Sequence, residues 1–147
     1  MEKRDKRKSA KKARPRILLV ENTDTLSDRY RKALGNSFRV TLCKTGSEVA
    51  KLVNDGAKFD LAIMDVILPP EEEGLDLENT GLRLIDMMRL AGTCRRFIIN
   101  TVRWDIRGKI ERICDGRAVW EYVIKQCEDI TKGMRTRVRK LLRQKTP

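Results

Sequence analysis

The chain has no histidine, only seven aromatic residues (two Trp, two Tyr, three Phe) and no long hydrophobic run. Each absence removes a class of function. Without imidazole there is no Ser-His-Asp or Cys-His nucleophile, and zinc loses its usual nitrogen ligand. Four cysteines, Cys43, Cys94, Cys114 and Cys127, show no C-x-x-C spacing and lie in or beside apolar runs. They read as small buried hydrophobes in a reducing compartment. The longest apolar runs, such as Ile17 to Val20 and Leu61 to Met64, hold four residues, against the roughly 20 of a membrane-spanning helix. No apolar stretch follows the basic N-terminus, so a secretory signal is not expected and the cytoplasm is the expected location. Neither a G-x-x-x-x-G-K nor a G-x-G-x-x-G loop occurs, which argues against a nucleotide-binding enzyme.

What is present is charge. Of the 147 residues, 37% are Asp, Glu, Lys or Arg, and the net charge is +12. The length accommodates one domain with one core. Residues 1–16 carry nine Lys or Arg against Glu2 and Asp5, residues 131–147 carry seven and no acid, and the body between holds 17 bases and 19 acids. A near-neutral body with basic ends follows. Residues 1–15 have too little apolar content to offset the entropy of ordering and are expected to form a disordered basic arm, with one domain over 16–147. Such an arm attracts a nucleic-acid backbone, an acidic protein face or an anionic membrane, or serves only as a solubilising tail. It has no interleaved aromatic on which bases could stack.

From Arg16 onward, short apolar runs alternate with stretches of helical period, the pattern of repeated βα units and a parallel sheet. Strands are expected at Ile17 to Val20, Arg39 to Cys43, Leu61 to Met64, Phe97 to Asn100 and Ala118 to Ile124. A helix over Asp24 to Leu34 stops at Gly35. A second opens on the capping box Thr45-Gly-Ser-Glu48 and ends at Gly56. Glu71 to Glu78 reads as a loop, followed by a helix from about Thr80 to Leu90. A fourth helix carries the stripe Ile106, Ile110 and Ile113, and a last one buries Ile130, Met134, Val138 and Leu141.

In this arrangement Glu21, Asn22, Asp65, Thr101 and Lys125 each fall at the carboxyl end of a strand, where open α/β sheets hold their sites. A helix cap is the better reading for any one of them alone. Together they form a chemical set: carboxylates to hold a cation, one carboxylate free to act, and a hydroxyl and an ammonium to meet added negative charge.

The segments Ile17-Leu-Leu-Val-Glu21-Asn22, Leu61-Ala-Ile-Met-Asp65-Val-Ile-Leu-Pro69, Thr80-Gly-Leu-Arg-Leu-Ile85, Phe97-Ile-Ile-Asn-Thr101, Tyr122-Val-Ile-Lys125 and Arg137-Val-Arg-Lys-Leu-Leu-Arg143 resemble, in order and spacing, the receiver domain of two-component response regulators. The resemblance covers residues 16 to 145. It implies a flavodoxin-like (CheY-like) doubly wound α/β fold with a five-stranded parallel sheet of order 2-1-3-4-5 and helices on both faces. It further implies that Asp65 accepts a phosphoryl group from a sensor histidine kinase or phosphotransfer protein, that Thr101 and Lys125 meet the phosphoryl oxygens, and that Tyr122 is a switching aromatic. Magnesium would be held by Glu21, Asn22, Asp65 and the backbone carbonyl of Ile67. Such a protein signals through contacts with a downstream protein target and is not an enzyme beyond catalysing its own phosphorylation and dephosphorylation.

The sequence departs from that pattern in three places. Receivers usually carry two acids after strand one, and here the second is Asn22, an oxygen donor without charge, so cation affinity is expected to fall. Gln126 follows Lys125 where the family usually has proline. The loop after Asp65 is about eight residues longer than usual and holds Glu71, Glu72, Glu73, Asp76 and Glu78; a solvated insertion is the preferred reading of it. Asn22 therefore also supports an alternative, an atypical pseudo-receiver that is never phosphorylated and serves as a protein or nucleic-acid interaction module. An aspartate-nucleophile phosphohydrolase is disfavoured, because the second Asp expected two places after its nucleophile is Ile67.

Overall fold

Runs of four to six residues rich in Ile, Val and Leu are too short for helices and too apolar for a solvated sheet face, which makes them central strands covered on both sides. In a computed structural model the chain is described over residues 13–65, 77–101, 106–124 and 131–147, with side chains at all of these except 77–79, 101 and 124. The elements in chain order are β1 (Arg16–Val20), α1 (Asp24–Leu34), a 3-10 turn (Gly35–Ser37), β2 (Arg39–Cys43), α2 (Gly46–Asn54), β3 (Leu61–Asp65), α3 (Leu77–Ala91), β4 (Arg96–Thr101), α4 (Arg107–Cys114), β5 (Val119–Ile124) and α5 (Met134–Leu142). All four strand pairings are parallel and the sheet order is β2-β1-β3-β4-β5. The expected topology is therefore the observed one.

Alternation along the strands divides the core in two. Leu18, Val20, Ala62, Met64, Phe97 and Ile99 pack under α2, α3 and α4. Ile17, Leu19, Leu61, Ile63 and Ile98 pack under α1 and α5. Each of these fully buried side chains contributes on the order of 1.5–3 kcal/mol of transfer free energy, which is why the strand segments tolerate so little polarity. No helix among the described residues is long and apolar enough to cross a membrane.

Local chemistry sets the ends. Gly35 closes α1 at φ 61°, ψ −149°, a region essentially restricted to glycine. Thr45 caps α2: its hydroxyl accepts from the Glu48 amide at 3.3 Å, while the Glu48 carboxylate reaches back to the Lys44 amide at 3.0 Å.

Two sequence expectations need correction. Helix α3 begins at Leu77, so Leu77 and Glu78 belong to it and not to the preceding loop; an acid in the first turn is favoured by the positive end of the helix dipole, and Thr80 and Gly81 lie inside. In α4 the fully buried positions are Ile106, Ile110 and Cys114, with Ile113 only half-buried, because a stripe of two four-residue steps follows the helix period there. Ile130, Cys127 and the acidic loop residues from Glu71 to Asp76 lie outside the described residues, as do residues 1–12. Arg14 and Pro15 are tied to the domain: the Pro15 carbonyl accepts from the Arg39 amide at 2.9 Å, and the Arg14 guanidinium donates to the Asn36 carbonyl at 3.2 Å.

Candidate functional site

Parallel pairing brings the carboxyl ends of β1, β3 and β4 to one rim. The register matches Val20 with Met64 and Asp65 with Asn100, so Glu21 and Asp65 stand on the next rung of neighbouring strands, spaced by roughly 4.8 Å between strand axes. Both are buried, Glu21 to 2% exposure and Asp65 to 9%. The amide of Glu21 donates to the Cys43 carbonyl at 3.1 Å, and its carboxylate accepts from the Thr23 amide at 3.3 Å. The backbone of Thr101 ends β4 one residue beyond the partner of Asp65 and pairs with Ile124. Of the expected site residues, the rim thus gathers Glu21, Asp65 and, by its backbone, Thr101. Asn22 follows Glu21 and is exposed. Lys125 and Ile67 lie outside the described residues.

Tyr122 sits on β5 opposite Ile99, half-buried, and packs against the apolar cluster that holds Ile106 and Ile110. It lies on the α2–α3–α4 side of the sheet, whereas Asp65 continues the row of Leu61 and Ile63 on the α1–α5 side.

Asp24 does not cap the helix and pairs instead with Lys44. Thr23 is the residue preceding the helix, and the Asp24 carboxylate is 2.5 Å from the Lys44 ammonium. That partner raises the Lys44 pKa, chiefly through the hydrogen bond to Asp24.

No protein-family model matches this chain, and no curated protein matches it. Solved structures do. The phosphorylated cyanobacterial phytochrome response regulator RcpA is 17% identical over 92% of this chain and 99% of its own, with a TM-score of 0.68. The signal receiver domain of a putative Luxo repressor protein from Vibrio parahaemolyticus is 20% identical over 88% of this chain and 91% of its own, TM-score 0.66. The response regulator TrrA from Thermotoga maritima, in complex with Mg2+ and beryllofluoride, is 21% identical over 86% and 98%, TM-score 0.63. This chain has the receiver fold.

The rim offers two buried carboxylates, Glu21 and Asp65, and an exposed amide oxygen at Asn22. No group of three or more His, Cys, Asp or Glu side chains that could hold a metal occurs among the described residues. Hard oxygen donors in that number suit a divalent cation that keeps part of its water shell, and do not make an all-protein cage.

The receiver fold also contains a polar pair that the sequence reading missed. Asn100 is 1% exposed, faces α1 beside Asp65, and donates to the hydroxyl of Tyr30, itself fully buried. The side-chain oxygen of Asn100 has no partner among the described residues. Tyr30 fits the apolar stripe of α1 by spacing, so periodicity hides its hydroxyl. The available signal was an asparagine inside the otherwise apolar strand Phe97-Ile-Ile-Asn100.

Proposed function

We propose that this chain is the receiver of a two-component phosphorelay, taking a phosphoryl group on Asp65 from a phosphohistidine of a sensor kinase or phosphotransfer protein. The supporting observation is a buried carboxylate at the end of a central strand, one strand away from a second buried acid and one from the end of β4. An oxygen of Asp65 attacks phosphorus, the P–N bond to the donor imidazole breaks, and the freed imidazole takes up a proton, leaving an acyl phosphate. Burial holds the attacking oxygen in place and limits water near the product. Glu21, Asp65, the Asn22 side chain and the Ile67 carbonyl would hold magnesium, which offsets the charge of the incoming phosphoryl group. Thr101 and Lys125 take the roles of phosphate hydrogen-bond partner and counter-ion that the resemblance gives them. The protein's own catalysis extends no further than gaining and losing this phosphoryl group, and its output is a contact with a protein target along α4 and β5, where Tyr122 is half-buried against the core.

A second reading rests on Asn22. Exposed and uncharged, it leaves the rim two carboxylates where three are usual for the family, and a receiver that has lost phosphoryl transfer would keep the fold as an interaction module. The test is intact mass after incubation with a small phosphodonor and magnesium. A gain of one phosphoryl group in the wild type and none in Asp65→Asn is the expected result. No gain at any magnesium concentration overturns it in favour of the second reading.

A further inference from the structure

We propose that the outer face formed by α1, the turn after it and α5 docks the phosphate backbone of a nucleic-acid duplex. This inference stands apart from the chemistry at Asp65. By burying Met134, Val138 and Leu141, α5 turns Arg135, Arg139 and Lys140 outward, and residues 131–147 include no acid. From α1, Arg29, Arg31 and Lys32 are exposed on the same side. Three shallow grooves join these groups into one strip. The first lies between α1 and the start of α5 and is bordered by Arg29, Lys32, Lys132 and Arg135. The second shares Lys32 and adds Arg31 and Phe38. The third shares Phe38 and adds Arg139 and Arg143.

The partners of these cations are neutral. Arg135 donates to the Ala33 carbonyl at 3.1 Å, Arg139 to the Ser37 hydroxyl at 3.4 Å and Arg14 to the Asn36 carbonyl at 3.2 Å. These contacts orient the guanidinium groups and leave their charge without an acidic partner among the described residues. The acids of α1 are Asp24 and Asp28; Asp24, at the start of the helix, is paired with Lys44, and Asp28, in mid-helix, acts on the same lysine. Arg137, the exception on α5, is paired with Glu121 at 2.7 Å.

The surface chemistry selects among anionic partners. Leu90, on α3, is the exposed large apolar residue among those described, so this face has no side chain to enter a bilayer and no apolar centre for a protein interface. It exposes no aromatic for stacking single-stranded bases. A regular array of phosphates is what remains. Arg135, Arg139 and Arg143, four residues apart, form a stripe of roughly 12 Å, the length of about three to four base-pair steps. The basic segment of residues 1–12 joins the domain at this face through Arg14.

The experiment is fluorescence anisotropy of the full chain with a labelled 20-base-pair DNA duplex of random sequence, repeated at several salt concentrations. The key variant is Arg29→Gln/Lys32→Gln/Lys132→Gln. These side chains make no hydrogen bond or ion pair among the described residues, so folding, checked by circular dichroism and melting, is unaffected. We expect the variant to bind at least tenfold more weakly and the slope of log Kd against log salt to fall by about 2–3, near 0.9 per lost phosphate contact. Arg139→Gln/Arg143→Gln should produce a similar loss at the other end of the strip. Absence of binding overturns the proposal, as does wild-type affinity in both variants, which would move binding to residues 1–12. Tighter binding to a single strand of equal length, to phosphatidylserine vesicles or to a poly-glutamate peptide at the same salt also overturns it.

Discussion

The two faces of the sheet are made from alternate residues of the same strands, yet they differ in kind. Under α2, α3 and α4 the fully buried strand side chains are all apolar, and all three described cysteines, Cys43, Cys94 and Cys114, pack with them. Burial pushes the thiols of Cys43 and Cys114 up to about 11 and that of Cys94 to about 12, so none is a thiolate at neutral pH and none is a nucleophile. Under α1 and α5 the rows of Ile17, Leu19, Leu61, Ile63 and Ile98 end at the rim in Glu21, Asp65 and Asn100, the last bonded to Tyr30 of α1. One face is a store of stability and the other carries both the candidate chemistry and the basic exterior. Polar groups are admitted where a strand end gives them backbone donors or water, and excluded where the buried strand residues meet three helices.

Adjacent residues of β4 allow the comparison to be broken. Phe97 points to the first face and Ile98 to the second, both fully buried. Phe97→Ala should cost about 3–5 kcal/mol and Ile98→Ala about 2–5 kcal/mol, read from urea midpoints at constant m. Alkylation of the buried thiols in a Cys127→Ser background then reports which face opens. If the faces open separately, Phe97→Ala accelerates alkylation of Cys94 and Cys114 far more than an equally destabilising change at Ile98. Equal acceleration at equal destabilisation would mean the faces open as one unit, and the contrast would be one of composition alone.

Element sequence and most of the core were legible because each rests on a local period, whereas the strand order followed from the family resemblance. The bounds of α1 follow from Gly35, those of β2 from the short β-rich run Arg39 to Cys43, and the inward positions of α5 from steps of three and four residues. The start of α3 was not legible, since Thr80-Gly81 imitates a helix start and the acidic first turn resembles a loop. At the candidate site, the positions of Glu21 and Asp65 were readable as strand ends, whereas the pairing of Asp24 with Lys44 and of Asn100 with Tyr30 depends on contacts between segments 20 and 70 residues apart. No local pattern encodes a contact of that kind.

The Tyr30–Asn100 pair gives the next largest effect and tests whether polarity on the second face carries a cost. Tyr30→Phe removes the acceptor of the Asn100 amide and leaves that buried group unsatisfied, for an expected loss of about 1–3 kcal/mol. Replacing both partners, Tyr30→Phe with Asn100→Leu, should restore most of the loss, because the donor and acceptor of this hydrogen bond are then removed together. Were the double variant as unstable as the single, the pair would be held by more than its mutual hydrogen bond. Such a result would tie it to the neighbouring Asp65 and predict altered phosphoryl uptake as well.

The smallest effect concerns the strap between the two faces. Asp24 starts α1, on one side of the sheet, and Lys44 lies in the segment leading to α2, on the other. Both side chains are largely exposed, so a surface pair of this type contributes little and weakens with salt. Asp24→Asn should therefore shift the midpoint of unfolding only slightly, and the shift should shrink at 1 M salt. The more informative reading is chemical. With its carboxylate occupied by Lys44, Asp24 has no part in the rim formed by Glu21 and Asp65, and the variant should leave the magnesium concentration needed for phosphoryl uptake unchanged. A several-fold rise in that concentration would show that Asp24 leaves Lys44 when the cation binds, supplying the charge that Asn22 lacks.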